Sequence, residues 1–180
     1  MRIVGFLCVL VLAVSCTSVE PKASDAYSEE QIVDSLKAGH AKLEQDLPPA
    51  QIISQSKSQV KFAELLLEKN PNTVKLEKWL FEGGKAGRTA GEFEKAIKLF
   101  DAYLERYPKG EKSAEIIFLK GFIYDEDLKN KEKARENYQR LLDEFPKHDL
   151  ADDAEALITQ LYMTPEEILQ MLEEKSQQPE

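Results

Sequence analysis

Apolar residues recur three or four positions apart over most of the chain from Ser28 onward, with polar residues between them. This spacing places the apolar side chains on one face of an α-helix. Glycine and proline are scarce, at eight each, and runs of β-branched residues are short, so the pattern favours an all-α fold. Helices are predicted over residues 28–47, 49–69, 73–88 and 112–127, with a last helix that starts at Thr164.

One helical pattern of residues occurs twice in the segment 91–146. Four pairs of similar residues are each 38 positions apart (134 − 96, 138 − 100, 145 − 107, 146 − 108). Within each copy, an aromatic residue follows a small residue by 4 positions and a proline follows it by 12 (100 − 96, 108 − 96). The sequence therefore predicts a repeat of helix pairs. The pairs are Ala96/Ala134, Phe100/Tyr138, Tyr107/Phe145 and Pro108/Pro146.

This spacing resembles the second helix of the tetratricopeptide repeat, in which a small residue admits a close neighbour, an aromatic fills the gap and proline ends the helix. Gly84 lies 12 positions before Ala96, where that family has the glycine of its first helix, and Gly121 with Tyr124 repeats the family's Gly-x-x-Tyr. The resemblance implies an α-α superhelix with a C-terminal capping helix. It assigns repeat packing to Gly84, Ala96, Phe100, Pro108, Gly121, Ala134, Tyr138 and Pro146.

The first 15 residues have the composition of a secretory signal peptide. Arg2 precedes an apolar run of about ten residues, and small residues follow before Cys16. The segment Leu12-Ala13-Val14-Ser15-Cys16 resembles the lipobox of bacterial lipoproteins, in which the cysteine is acylated, for example with palmitate. We therefore expect lipidation at Cys16 and an anchor in the outer membrane, on its periplasmic face. The alternative is an ordinary signal peptide cut near Ser15 or Ser18, with Cys16 incidental.

The remaining chain divides into four segments. Residues 16–27 are predicted to be the lipid anchor and a flexible tether, because they are rich in Ser, Pro and charge without apolar periodicity. Residues 28–47 form an N-terminal helix that we expect to dock loosely, because Gly39 weakens its middle. Residues 48–175 form the helical repeat domain, with a degenerate earlier copy ending at Pro71, and residues 176–180 a frayed tail.

The charged residues and the histidines do not form the pattern of a catalytic, metal or nucleic-acid site. The net charge of −9, with 32% charged residues, disfavours a nucleic-acid partner. His40 and His148 have no spacing of a metal site around them, and the acidic run 125–127 is interpreted as a solvated helix end. We predict no catalytic residue, no metal and no cofactor.

The resemblance also implies a binding groove, because the first helices of tetratricopeptide repeats line a concave surface. The alternative is that the aromatic residues of this set are core and the charged ones a solvated face. The expected groove residues are Lys78, Phe81, Lys85, Arg88, Glu115, Phe118, Phe122 and Asp125.

The chain thus resembles envelope lipoproteins with tetratricopeptide repeats. These include the periplasmic protein that partners the Tol-Pal system and the lipoprotein subunit of the β-barrel assembly machinery. The resemblance implies a non-enzymatic scaffold that binds an envelope protein or peptide segment, with the oligomeric state open. The competing interpretation is a structural spacer or stalk whose repeats self-associate.

Overall fold

The computed structural model describes residues 27–176, and this part of the chain folds into eight α-helices and one π-helical turn, without a strand. The predicted signal peptide, Cys16, the tether up to residue 26 and the tail after residue 176 lie outside the described residues. The elements are α1 (Glu29–Leu43), α2 (Pro49–Lys69), α3 (Leu76–Thr89), α4 (Phe93–Arg106), α5 (Ser113–Phe122), the π turn (Ile123–Asp127), α6 (Lys131–Glu144), α7 (Ala151–Gln160) and α8 (Pro165–Ser176).

Local chemistry fixes several helix starts at or near the predicted residues, whereas α1 ends at Leu43, four residues before its predicted end at residue 47. Ser28 forms a capping box with Gln31, in which each side chain bonds the backbone N–H of the other. Pro49 is the first residue of α2, a position where the missing N–H costs no hydrogen bond. Thr164 and Glu167 cap α8 in the same reciprocal way as Ser28 and Gln31.

Helix α3 begins at Leu76, three residues later than predicted, because Thr73 is held by a different helix. The Thr73 hydroxyl donates to Glu29 Oε1 at 2.8 Å, and the Lys75 ammonium pairs with the same carboxylate at 3.0 Å. These contacts join the start of α1 to the loop before α3. A tertiary contact therefore sets this helix boundary.

The N-terminal helix α1 packs more closely than the loose docking that the sequence led us to expect. Ile32 and Leu36 are fully buried against α2. Gly39 leaves room for the side chain of Gln59, whose amide donates to the Leu36 carbonyl at 2.9 Å in a buried hydrogen bond. The glycine thus admits a neighbouring side chain, and this contact joins α1 to α2.

Two helix pairs, α3/α4 and α5/α6, repeat one packing arrangement. In the first, Gly84 faces the ring of Phe100 so closely that a Cβ would overlap it, and Gly121 faces the ring of Tyr138 in the same way. Both rings are fully buried, as are the small residues that precede them by four positions. Successive helices pack in series, which confirms the predicted all-α superhelix.

The pairs are linked to their neighbours by further close approaches. Gly83 of α3 would clash with Ala63 of α2 if it carried a Cβ, and Gly87 would clash with Ala96. Between the two repeats, the buried Lys120 ammonium pairs with the Asp101 carboxylate. Glycine and alanine therefore determine how closely α2, α3 and α4 approach.

The two prolines of the repeat pattern lie on the surface just after the second helices. Pro108 follows the end of α4 at Arg106, and Pro146 follows the end of α6 at Glu144. Proline cannot continue a helix, because it has no N–H to donate. Both therefore occupy the turn that leads to the next first helix.

The C-terminal end of the stack is less covered than a capping helix would make it. Helix α7 packs on α6 with Ala154 and Leu161 buried. Helix α8 starts at Pro165, one residue after the predicted start at Thr164, and its residue Leu169 is 59% exposed. Within residues 27–176, none of the helices has the length and apolar character needed to cross a membrane.

Candidate partner-binding cleft

A cleft of about 580 Å³ lies where the first repeat meets the second. It is formed by the C-terminal half of α3, the turn before α4, the start of α5 and the end of the π turn. We call it the inter-repeat cleft. Its lining residues are Lys85, Arg88, Thr89, Gly91, Phe93, Phe100, Glu115, Leu119 and Asp127.

Arg88 is held in place at one side of this cleft. Its Nε donates to Asp127 Oδ2 at 2.7 Å, and its guanidinium carbon lies 4.6 Å from the centroid of the Phe122 ring. The half-buried salt bridge and the cation–π contact restrict the side chain, which lowers the entropy that it can lose on binding. Arg88 therefore joins the two repeats and faces the cleft in a fixed orientation.

The π turn decides which acidic residue meets Arg88. In an α-helix, Phe122 and Asp125 share a face, which is why Asp125 was expected in the groove. In a π-helical turn the hydrogen bonds run from residue i to i+5, and the Leu128 N–H donates to the Ile123 carbonyl at 2.9 Å. The π turn therefore shifts the helical register of the acidic residues that follow Phe122. As a result Asp127, five positions after Phe122, forms the salt bridge with Arg88.

Asp125 itself is half-buried, away from the residues that line the cleft. Burial raises the pKa of this carboxyl above its usual value, and the neighbouring Glu126 carboxylate raises it further. The interpretation of the run 125–127 as a solvated helix end is therefore wrong for Asp125 and Asp127. Only Glu126 is exposed.

The structure places the other predicted groove residues in two environments. Phe81 is only 5% exposed and belongs to the hydrophobic core, and the ammonium groups of Lys85 and Lys112 lie 4.9 and 5.5 Å from its ring centroid. Phe118 packs against the Tyr138 ring with centroids 5.6 Å apart. These two rings therefore belong mainly to the core, which is the alternative that the sequence left open for them.

Three of the eight predicted groove residues line the cleft directly, and these are Lys85, Arg88 and Glu115. Phe122 is not one of the lining residues, but its ring contacts the guanidinium group of Arg88, which is. Lys78 is exposed and lies 4.9 Å above the Trp79 ring, outside this set of lining residues. Sequence reasoning thus located the charged residues of the cleft better than its aromatic ones.

The apolar lining comes from residues that sequence reasoning did not assign to the groove. Phe93 and Leu119, both half-buried, supply most of this surface. Gly91, with φ of +72°, makes the turn that brings Phe93 to the cleft. The glycine in Gly91-Glu92-Phe93 indicates a turn before α4, but nothing in the sequence indicates that Phe93 lies in the cleft.

The cleft can bind a chain segment but presents no catalytic arrangement among the described residues. An apolar surface lies beside two cations and two carboxylates, and Glu115 pairs with Lys112 at 3.4 Å. Within residues 27–176, the His, Cys, Asp and Glu side chains form no group of three or more suited to a metal ion. Such a surface is suited to a peptide that carries both an apolar side chain and charges.

The serial helix pairs and the cleft between them define a helical-repeat binding module. Residues 79–110 and 115–148 match the model of the tetratricopeptide repeat. The matched segments cover α4 and α6 completely and α3 and α5 except for their first residues, and they support a tetratricopeptide-repeat protein. Proteins of this kind are typically non-enzymatic scaffolds that bind other proteins. No curated protein matches the chain significantly.

Proposed function

We propose that this protein is a lipid-anchored scaffold of the bacterial cell envelope that binds a segment of a protein partner in the inter-repeat cleft. The observation that carries the proposal is the position of this cleft between two tetratricopeptide repeats, with Phe93 and Leu119 beside Lys85 and Arg88. An extended segment with one apolar and one acidic side chain fits this combination. The acidic group would approach Lys85, because its ion pair with Glu82 is long, at 3.5 Å, whereas Arg88 is held by Asp127 at 2.7 Å.

The anchor in this proposal is an acylated Cys16 at the outer membrane, with the repeat domain on the periplasmic side. It is supported by the signal-like segment 1–15 and the lipobox-like residues before Cys16. Several acyl chains on one cysteine hold a protein stably, whereas a single chain binds only reversibly. A role in assembly or maintenance of the outer membrane follows from the resemblance to envelope lipoproteins.

The cleft is tested by site-specific crosslinking in the native membrane. A photoreactive residue placed at Thr89, which is exposed at the cleft, is expected to capture one defined envelope protein. The same residue at Lys61, exposed on α2, is the matched control and is expected to capture none. Equal crosslinking from both positions, or none from either, would contradict the proposed binding site.

Two variants refine the same test. Lys85→Ala and Leu119→Ala are each expected to weaken capture from Thr89, while Lys98→Ala on α4, whose partner is Glu64, leaves it unchanged. Lys98 is exposed and forms a long ion pair of 3.5 Å, so it is a control of similar charge. Capture that is insensitive to both cleft variants would place the partner elsewhere.

The anchor is tested separately by mass spectrometry of the mature N-terminus. Acyl chains on Cys16 and loss of Cys16→Ser from the membrane fraction are the expected results. A freely secreted chain with an unmodified thiol would overturn the anchor but leave the cleft untouched. Concentration-dependent sedimentation of the chain, without capture of another protein, would favour the self-associating spacer.

A further inference from the structure

The acidic charge of this protein is concentrated at its C-terminal end. Between positions 149 and 176 the sequence has eight acidic residues and one lysine, a net charge of −8 + 1 = −7, against −9 for the whole chain. The residues before this segment are therefore nearly balanced in charge. Most of the net negative charge of the protein therefore belongs to the segment that contains α7 and α8.

Apolar side chains are exposed on the same two helices and in the turn that joins them. Tyr162 is 58% exposed and Leu169 is 59% exposed, and Leu157 and Ile158 of α7 are only half-buried. The Lys131 ammonium lies 5.7 Å from the centroid of the Tyr162 ring, so this ring already attracts a cation. We call these four residues, with the acidic side chains around them, the C-terminal face.

The repeat pattern changes at this face. Gly121 lies 37 positions after Gly84 (121 − 84), and a further 37 positions lead to Ile158 (158 − 121). The two glycines let the rings of Phe100 and Tyr138 come into contact with the backbone. Ile158 has a branched side chain where the two repeats have glycine, so a ring cannot reach the backbone of α7 at this position as it does at Gly84 and Gly121.

We propose that the C-terminal face docks a basic amphipathic helix of a protein partner. An amphipathic helix binds with its apolar side against exposed apolar residues and its charges at the rim. Charge selects the occupant here, because a second copy of this face would bring two surfaces of −7 together. The site is separate from the inter-repeat cleft and does not depend on it.

The probe for this proposal is a synthetic 18-residue peptide with leucines at helical spacing and lysines at all other positions. Its binding to the full chain is measured by fluorescence anisotropy at low and high salt. Two peptides act as controls, one with glutamate in place of lysine and one with serine in place of leucine. We expect only the Lys/Leu peptide to bind, more weakly at high salt, because screening acts on the charges at the rim.

Two variants of the chain test whether binding occurs at this face. Tyr162→Ser and Leu169→Ser are each expected to weaken binding by about fivefold to tenfold, from the loss of apolar contact. Val74→Ser is the matched control, because Val74 is 89% exposed but lies in the loop before α3. Glu105→Lys, on α4 and 83% exposed, controls for a change of charge elsewhere.

The proposal is overturned if Tyr162→Ser and Leu169→Ser bind the Lys/Leu peptide as tightly as the unaltered chain. It is also overturned if the Lys/Ser peptide binds as well as the Lys/Leu peptide, because the apolar residues would then have no role. Lys85→Ala distinguishes the two sites, since it should affect capture at the cleft and leave peptide binding at the C-terminal face unchanged.

Discussion

Lys129 occupies in the second repeat the position that Gly91 occupies in the first, 38 residues earlier (129 − 91), and both have positive φ angles of 52° and 72°. In the first repeat the next residue, Glu92, donates its N–H to the Gly87 carbonyl at 2.8 Å. In the second repeat Asn130 donates to the Tyr124 carbonyl at 2.7 Å. The first bond spans five residues and the second spans six, because the π turn contains one residue more.

A glycine at position 129 should stabilise the protein. A non-glycine residue in the left-handed region costs about 1–2 kcal/mol, part of which is offset because glycine makes the unfolded chain more flexible. The ion pair of Lys129 with Glu126 is exposed and contributes little. We expect Lys129→Gly to raise the free energy of unfolding by about 0.5–1 kcal/mol in urea denaturation. Gly91→Ala is the matched control and should lower it, although a Cβ there meets no other atom.

Gly121→Ala should destabilise the second repeat although alanine is the better helix former. The added Cβ would lie 2.5 Å from Cε1 of Tyr138, in a fully buried contact. Overpacking of this kind costs about 1–3 kcal/mol, which exceeds the gain of about 1 kcal/mol in helix propensity. Thermal unfolding should therefore shift to lower temperature. If the clash is the cause, Tyr138→Leu should remove most of the effect in the double variant.

The hydroxyls of Tyr103 and Tyr138 are both buried but differ in their partners. Tyr103 donates to Glu77 Oε1 at 3.1 Å and accepts from the Lys112 N–H at 3.2 Å, whereas the Tyr138 hydroxyl has no partner among the described residues. We expect Tyr103→Phe to lower the free energy of unfolding by about 1–2 kcal/mol and Tyr138→Phe to raise it by about 1 kcal/mol. Equal effects of the two variants in chemical denaturation would refute this assignment.

Alkaline pH should destabilise the fold through Tyr103. Burial raises the pKa of its hydroxyl from 10.0 to about 12. The unfolded chain therefore releases this proton at a lower pH than the folded chain, so stability is complete below pH 10 and falls as the pH rises towards 12. Unfolding curves measured across this range should show a smaller fall for Tyr103→Phe than for the unaltered chain.

Gln59→Ala should release α1 from the rest of the domain. Its buried side-chain amide bonds the Leu36 carbonyl at 2.9 Å, and the truncation leaves this carbonyl without a side-chain partner beside Gly39. The lost hydrogen bond costs about 0.5–1.5 kcal/mol, partly offset because Gln59 Oε1 is buried without a partner among the described residues. The net loss should appear as faster hydrogen exchange of the α1 amides, with those of α4 unchanged. Gln51→Ala, at an exposed position of α2, is the control and should not alter exchange in α1.

The sequence by itself determined the helical class, several helix starts and the spacing of the repeat. These features depend on contacts within a few residues, such as the Ser28 and Thr164 capping boxes and Pro49 at the start of α2. The 38-residue offset located the alanines and the aromatics that the structure buries. Local chemistry and periodicity were sufficient for these, because a helix has few ways to begin, end and bury one side.

Tertiary structure alone decided which side chains meet in the cleft. The π turn brings Asp127 to Arg88 and leaves Asp125 half-buried, and neighbouring lysines cover Phe81. The sequence likewise did not predict the contact between Gln59 of α2 and Leu36 of α1, because these two residues are 23 positions apart. The packing of the adjacent helix decides whether the helical register shifts by one residue. The hydrophobic period of a single helix does not depend on that packing, so it cannot predict the shift.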